Sequence, residues 1–228
     1  MITLSPSLLS ANLGMLTEEV TLLHSAGIPW VHWDIMDGSY VPNITLGSGV
    51  IDAVRKQVPD IFFDVHLMIE KPEAHIDSFI KAGANLIVIH TEATRHPHRC
   101  IEYIRSCAVL SGISLNPHQS LESVEYLLPY IDVILVMGVN PGFSGQRFIE
   151  TTTRKVQQLS HLIATSGYPV RIEVDGGVNT DNINMLYRAG ADIFVSGSSF
   201  FSNTEKSIEG YRKRYQEFCA SCVEKEHE

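Results

Sequence analysis

Residues 73–90 of the chain, EAHIDSFIKAGANLIVIH, contain in order an amphipathic stretch, a glycine turn and a short apolar run. The Ala-Gly-Ala turn at residues 82–84 stands where a helix must end before the chain enters a strand. The same order recurs at residues 180–196, TDNINMLYRAGADIFVS, around a second Ala-Gly-Ala. A helix that leads through a tight glycine turn into an apolar strand is typical of parallel sheets built from β/α units.

Outward from this unit, short β-branched runs and longer amphipathic stretches alternate along the chain. The apolar runs predict strands at residues 4–9, 30–35, 62–67, 86–90, 112–115, 133–137, 170–174 and 193–196. Helices are predicted at residues 16–25, 73–82, 97–107, 121–128, 146–165, 180–188 and 205–222. Eight β/α units in 228 residues predict an α/β fold, a (β/α)8 TIM barrel that forms a single domain over residues 1–228.

A doubly wound open sheet is the alternative fold. It needs a place where the strand order reverses and usually a glycine-rich turn after the first strand, but here the first strand runs into Ser-Ala-Asn-Leu at residues 10–13. The glycine-rich turns instead follow the sixth, seventh and eighth predicted strands. Barrels often bind phosphate in the loops after the last two strands, so the glycine positions favour the barrel.

The charge of the chain limits its partners. Lys and Arg number 17 against 26 Asp and Glu, for a formal net charge of -9, and no basic block is present. We therefore expect no nucleic-acid partner. No apolar run reaches membrane-spanning length and the first six residues lack a basic secretory region, so we expect no membrane partner and a cytoplasmic location.

Polar residues alternate near the ends of three predicted strands. His32 and Asp34 share one face of the second strand, His66 lies in the third, and Asp175 ends the seventh. In a barrel, inward positions at the carboxyl ends of strands meet at one mouth, so we expect these four side chains to converge. Two imidazoles and two carboxylates suit one divalent metal ion per chain, Zn²⁺, Fe²⁺, Mn²⁺ or Co²⁺.

Two further carboxylates share these faces at deeper positions. Asp64 precedes His66 by two residues, and Glu173 precedes Asp175 by two. We expect them to support the ligands rather than bind the ion directly.

Three glycine-containing loops follow the last three predicted strands. They are Asn-Pro-Gly-Phe-Ser-Gly at residues 140–145, Gly-Gly at 176–177 and Gly-Ser at 197–198. Glycine lets backbone N–H groups approach an anion closely, and each loop leads towards a helix. The sequence thus predicts a phosphate site for a small-molecule ligand at the same mouth.

Motifs along nearly the whole chain resemble the ribulose-phosphate 3-epimerase family. They lie at residues 6–7, 32–38 (HWDIMDG), 41–45 (VPNIT), 64–68 (DVHLM), 136–137, 140–146, 173–178 (EVDGGV) and 196–198. The resemblance implies a barrel of the ribulose-phosphate-binding type and a sugar-phosphate substrate. It also implies metal-dependent epimerisation of D-ribulose 5-phosphate to D-xylulose 5-phosphate at carbon 3, by a homo-oligomer, either a dimer or a hexamer.

The resemblance also implies residue roles. The metal ligands would be His32, Asp34, His66 and Asp175, and the two aspartates would also serve as the catalytic acid/base pair on either side of an enediolate. Ser7 and His66 would contact the substrate. The remaining implied substrate-binding residues are Gly142, Phe143, Ser144, Gly145, Asp175, Gly176, Gly177, Gly197 and Ser198, and the implied site-lining residues are Met36, Met68 and Met137.

Three other functions are alternatives to this one. The first is the same chemistry on a longer sugar, D-allulose 6-phosphate. Ser144 and the pair Phe200 and Phe201 depart from the family pattern, and they are expected near the phosphate and sugar tail, where substrate length matters. A phosphosugar decarboxylase is disfavoured, because Met36 stands where an Asp-x-Lys-x-x-Asp pattern needs lysine. A non-catalytic phosphosugar-binding protein is disfavoured because all four ligand positions are present.

Overall fold

The computed structural model describes residues 2–222, in which eight parallel strands alternate with helices. The strands are β1 (Thr3–Pro6), β2 (Trp30–Met36), β3 (Phe62–Met68), β4 (Leu86–His90), β5 (Leu110–Leu115), β6 (Val133–Met137), β7 (Arg171–Asp175) and β8 (Ile193–Ser196). The helices are α1 (Leu16–Ser25), α2 (Ser48–Gln57), α3 (Ile76–Lys81), α4 (Pro97–Ser106), α5 (Thr151–Ser166), α6 (Ile183–Ala189), α7 (Ser198–Phe201) and α8 (Ile208–Ser221). Residues 1 and 223–228 of the predicted domain lie outside the described residues.

The strands form one barrel. They are hydrogen-bonded in the order β1-β8-β7-β6-β5-β4-β3-β2, and every pair is parallel. The gap between β1 and β2 is bridged where Ser7 pairs with His32. The predicted (β/α)8 barrel is thereby confirmed, and the open-sheet alternative is wrong.

The strand register sets the height of each polar side chain in the barrel. Between β2 and β3, Asp34 pairs with His66, and His32 pairs with Asp64. Between β6 and β7, Met137 pairs with Asp175. Ligand positions on different strands therefore lie in adjacent layers near the carboxyl-terminal mouth.

The barrel interior changes from apolar to polar along its axis. Trp30 and Phe62 stack at the amino-terminal end with their ring centroids 3.7 Å apart, and Arg171 lies over the Trp30 ring. Above them is an apolar cluster formed by Leu86, Val88, Val133, Leu135, Met137, Val139 and Ile193. The outward strand faces pack against the helices in a separate, larger core. The inward histidine and acidic side chains lie from the middle of the barrel to its carboxyl-terminal mouth, whereas Arg171 is a polar residue at the amino-terminal end.

Several predicted element boundaries were wrong. The first strand ends at Pro6 rather than residue 9, because Leu8–Ser10 form a 3-10 turn. The predicted helix 121–128 is two 3-10 segments with Pro129 inside the second, which removes a backbone donor. The helix expected from residue 146 begins at Thr151, and α2 was not predicted at all.

None of the helices in residues 2–222 combines the length and the apolar character needed to cross a bilayer.

Candidate active site

Four side chains from β2, β3 and β7 converge at the carboxyl-terminal end of the barrel. His32, Asp34, His66 and Asp175 each offer one ligand atom, and all four atoms lie within 4.8 Å of one another. His32 Nε2 lies 3.4 Å from Asp34 Oδ1, and His66 Nδ1 lies 3.6 Å from Asp175 Oδ2. The structure thus brings together the four positions that the sequence picked out.

The free nitrogens of the two histidines show that these residues fit a metal ion. Both rings are fully buried, yet His32 Nε2 and His66 Nδ1 have no hydrogen-bond partner among the described residues. A buried polar atom without a partner is costly, and each of these atoms faces two carboxylates. Two imidazole nitrogens and two carboxylate oxygens are a donor set suited to a divalent transition ion.

The second nitrogen of His32 is held by a buried carboxylate. Asp64 Oδ2 lies 2.6 Å from His32 Nδ1, and Glu173 Oε1 lies 3.5 Å from the same nitrogen. A carboxylate on Nδ1 keeps the proton there and leaves Nε2 free to bind an ion. Asp64 and Glu173 therefore occupy the supporting positions expected from their place in the strands.

Charges inside the barrel shift several pKa values in opposite directions. Although burial raises the pKa of Asp34, the neighbouring His32 and His66 hold it well below its usual range. Burial lowers the pKa of His32, but Asp64 and Asp34 outweigh that effect and raise it well above its usual range. Burial, reinforced by Asp64, raises the pKa of Glu173 well above its usual range.

Asp34 is held by two hydroxyl side chains from different loops, one on its carboxylate and one on its backbone carbonyl. Ser7 Oγ donates to Asp34 Oδ2 at 2.5 Å, so this hydroxyl, implied as a substrate contact, is also a partner of Asp34. Thr45 Oγ1 donates to the Asp34 carbonyl at 2.6 Å and accepts from the Met36 N–H at 3.0 Å. The role of Thr45 was missed, although it belongs to a motif that the sequence showed.

One cleft at the barrel mouth gathers most of the predicted substrate-binding residues. His32 and His66 lie beneath its floor and are fully buried, although His66 was also expected to contact the substrate. The cleft is lined by Ser7, Asp34, Met36, Met68, Met137, Gly142, Phe143, Ser144, Gly145, Asp175, Gly176, Gly177, Gly197 and Ser198. Residues 140 and 141, from the predicted phosphate loop, also line it, as do residues 9, 10, 139, 146, 178, 179, 195 and 199, to which the sequence had assigned no role.

The pair Phe200 and Phe201 does not lie at the sugar tail, as the sequence had led us to expect. Phe200 is fully buried, with its ring centroid 5.9 Å from that of Tyr211 and 6.1 Å from that of Phe218, both in α8. Phe201 also packs against Tyr211. Neither residue lines the cleft, so this departure from the family pattern concerns the packing of α7 against α8.

Two glycines of the cleft allow a matched test of its backbone. Gly177 has φ +70°, and an added Cβ would lie 2.8 Å from the backbone nitrogen of Phe148, whereas Gly145 has φ +75° and open space around it. Gly177→Ala is expected to lower the free energy of unfolding by about 2 kcal/mol, and Gly145→Ala by about 1 kcal/mol. Urea unfolding checks this, and equal losses would contradict the steric argument.

One further polar residue in the barrel interior was missed. His90 ends β4, and its Nε2 lies 2.9 Å from His66 Nε2. The signal was available, because Leu86, Val88 and His90 alternate along the strand and so face the same side. Burial lowers the pKa of His90 to about 4, although Glu92 acts in the opposite direction.

Comparisons with known proteins agree with this geometry. The model of the ribulose-phosphate 3 epimerase family matches residues 3–201. The chloroplastic ribulose-5-phosphate-3-epimerase of Arabidopsis thaliana is 46% identical over 202 residues, covering 88% of this chain and 72% of that protein. The ribulose-phosphate 3-epimerase of Treponema pallidum is 44% identical over 206 residues, covering 90% of this chain and 94% of its own length.

Solved structures show the same fold at lower identity. The crystal structure of KGPDC from Streptococcus mutans superimposes with a TM-score of 0.68 at 15% identity, covering 98% of this chain and 100% of that one. That likeness concerns the barrel alone. The family match over residues 3–201 and the relatives above 40% identity decide the classification: this chain belongs to the ribulose-phosphate 3-epimerase family and is an epimerase of the isomerase class.

Proposed function

We propose that this epimerase interconverts D-ribulose 5-phosphate and D-xylulose 5-phosphate, with Asp34 and Asp175 as its two acid/base groups. The observation that carries the proposal is the meeting of these carboxylates at the floor of one cleft. They come from β2 and β7, which β1 and β8 separate around the barrel. The relative from Arabidopsis thaliana is named for the same pentose phosphate, which supports the choice of substrate.

Inversion at carbon 3 needs a proton removed from one face of the substrate and another delivered to the opposite face. A single side chain cannot reach both faces, so two carboxylates on opposite sides are required. Asp34, whose pKa is held low by the histidines, is ionised and ready to accept the proton from D-ribulose 5-phosphate. Asp175 donates a proton to the other face of the enediolate, and the roles reverse for D-xylulose 5-phosphate.

We propose that one divalent metal ion per chain is held by His32, Asp34, His66 and Asp175. Zn²⁺, Fe²⁺, Mn²⁺ and Co²⁺ all suit this donor set. When bound, the ion supplies positive charge that stabilises negative charge developing on the substrate oxygens. Within the protein, Asp64 and Ser7 hold the His32 ring and the Asp34 carboxylate in position before the substrate arrives.

The other end of the cleft is proposed to hold the substrate's phosphate. Backbone N–H groups of residues 142–145, 176–177 and 197–198 border it, and Ser144 and Ser198 add hydroxyl groups. Met36, Met68 and Met137 line the same cleft, where they exclude water from the reacting carbons. We also propose that the barrel acts as a single domain in a homo-oligomer, a dimer or a hexamer, which light scattering of the purified protein would measure.

An epimerase assay with both sugars, before and after metal removal, tests the proposed function. We expect the protein to convert D-ribulose 5-phosphate faster than D-allulose 6-phosphate. Chelation is expected to remove nearly all activity, and return of a divalent ion is expected to restore it. Without the ion, no cation stabilises the negative charge that develops on the substrate oxygens.

Other results would change the proposal. Faster turnover of D-allulose 6-phosphate would make the hexose phosphate the substrate. Activity unchanged by thorough chelation would contradict the metal centre. Tight substrate binding without exchange of the carbon 3 hydrogen for deuterium from the solvent would indicate a non-catalytic phosphosugar-binding protein.

A further inference from the structure

His90 lies behind the candidate metal ligand His66, and the proposed proton transfers do not use it. Both rings are fully buried, their centroids are 5.0 Å apart, and their planes differ by 28°. The two Nε2 atoms are 2.9 Å apart, which is hydrogen-bond distance. On the opposite side of its ring, His66 Nδ1 faces Asp34 Oδ1 at 3.7 Å and Asp175 Oδ2 at 3.6 Å.

A hydrogen bond between two imidazole nitrogens needs one proton and one lone pair. If His66 is to present a lone pair on Nδ1 to an ion, its proton must be on Nε2, and His90 Nε2 must accept it. His90 then carries its own proton on Nδ1. That nitrogen makes no hydrogen bond among the described residues, and Glu92 Oε1, 3.5 Å away, is a carboxylate oxygen towards which its proton can point.

Glu92 is held in place by three side chains from other loops and by the neighbouring Thr91. Tyr40 donates its hydroxyl to Glu92 Oε1 at 2.7 Å, Asn116 Nδ2 donates to the same oxygen, and Gln119 Nε2 donates to Oε2 at 2.9 Å. The Tyr40 ring also packs on His90, with the centroids 4.7 Å apart. Although burial raises the pKa of Glu92, the neighbouring His90 and Tyr40 lower it to about 2, so it is ionised at neutral pH.

The two histidine ligands therefore have different supports. His32 has a carboxylate directly on its second nitrogen, at 2.6 Å, whereas His66 reaches its carboxylate only through another imidazole. We propose that His90 is a positioning residue that accepts the His66 Nε2 proton and, with Glu92, keeps the His66 Nδ1 lone pair directed at the metal position. This inference rests on the metal centre of the proposed function.

The physical consequence of losing His90 follows from the neighbours of His66. Without an acceptor at Nε2, the His66 ring carries its proton on Nδ1 instead, where the N–H can donate a hydrogen bond to the carboxylate of Asp34 or Asp175. An incoming ion must then displace that proton. Removal of a partner that orients a metal-bound histidine typically weakens metal binding by about 10–100-fold.

The test is zinc affinity, measured on the purified full chain by competition with a chelator of known affinity. His90→Leu is expected to weaken Zn²⁺ binding by about 10–100-fold. His90→Gln, which can place an amide oxygen near the lost Nε2, is expected to stay within about threefold of the parent. Nitrogen-15 spectra of the histidines in the Zn²⁺-loaded parent are expected to show the His66 proton on Nε2.

Two more variants keep the test decisive if His90→Leu fails to fold. Glu92→Leu changes a partly exposed side chain on the far side of His90 from His66, and we expect about tenfold weaker Zn²⁺ binding. The matched control is His98→Leu in α4, whose Nδ1 also lies 3.5 Å from a glutamate, Glu102, but on the surface. It is expected to bind Zn²⁺ like the parent.

Parent-like affinity in His90→Leu, or in Glu92→Leu where the former does not fold, would overturn the proposal. So would a loss in His90→Gln as large as that in His90→Leu, or a His66 proton found on Nδ1. These results leave the proposed epimerisation standing, provided the parent binds Zn²⁺ and turns over substrate. A parent that binds no Zn²⁺ would overturn both the metal centre and this inference.

Discussion

Replacement of Asp175 by Asn is expected to lower the turnover of D-ribulose 5-phosphate by on the order of 10³-fold or more, because an amide neither donates nor accepts the proton that the second face requires. Asn keeps the size of the side chain and an oxygen that can bind a metal ion. The change therefore alters proton transfer more than the shape of the cleft.

The same variant makes a finer prediction about hydrogen exchange. Asp34 remains able to remove the carbon 3 proton of D-ribulose 5-phosphate and to return one to the same face. In deuterated water, Asp175→Asn is therefore expected to exchange that hydrogen without forming D-xylulose 5-phosphate, whereas Asp34→Asn is expected to exchange only the hydrogen of D-xylulose 5-phosphate. Proton NMR of the recovered sugars measures both outcomes.

A nearby carboxylate provides the control for Asp175. Asp181 lies in the loop after β7 and is exposed, so Asp181→Asn is expected to turn over substrate at the parent rate. Metal content of all variants is measured alongside, so that lost activity is not confused with a lost ion. Wild-type-like rates in Asp175→Asn would refute the assignment of two acid/base groups.

The second large effect is expected on stability. Asp64→Leu is predicted to lower the free energy of unfolding of the metal-free protein by about 3–5 kcal/mol, because it leaves His32 Nδ1 buried with its nearest partner gone. The other carboxylate near that nitrogen, Glu173, lies 3.5 Å away rather than 2.6 Å. Urea unfolding at pH 7 measures the change.

The chain contains a surface pair that makes this experiment a matched comparison. Lys56 Nζ and Asp52 Oδ2 are also 2.6 Å apart, but the two side chains are 68% and 42% exposed. Asp52→Leu is expected to cost less than about 1 kcal/mol, because water screens the pair and already solvates both partners. Equal losses of unfolding free energy in the two variants would show that burial is not the reason why the His32–Asp64 pair stabilises the fold.

Hydrophobic periodicity predicted the regular elements well. The bounds predicted for α1, β4, β6 and β8 are those of the structure. These elements are continuous amphipathic or apolar segments ended by local turn signals, so short-range information is sufficient. Periodicity failed at residues 146–150, where Gln146 Nε2 donates to the carbonyls of Asn140 and Phe143 and fixes a loop instead of a helical turn.

The candidate site was accessible from the sequence for a related reason. Residues two apart in a strand share a face, so His32 and Asp34 point into the barrel together, and the end of β7 places Asp175 at the same height. This alternation says nothing about which atom meets which. Three hydrogen bonds that hold the site join residues from different strands or loops: Ser7 to Asp34, Thr45 to the backbone of β2, and His90 to His66.

The sequence by itself therefore determined the order of the β/α units, the inward positions of the four ligand residues and the place of the glycine loops, because each depends on neighbours within a few residues. Only the tertiary structure decided that His32 presents Nε2 and His66 presents Nδ1, and that their other nitrogens meet Asp64 and His90. The physical reason is that hydrogen bonds between strands depend on register and barrel closure, which pair residues 24 to 32 positions apart here.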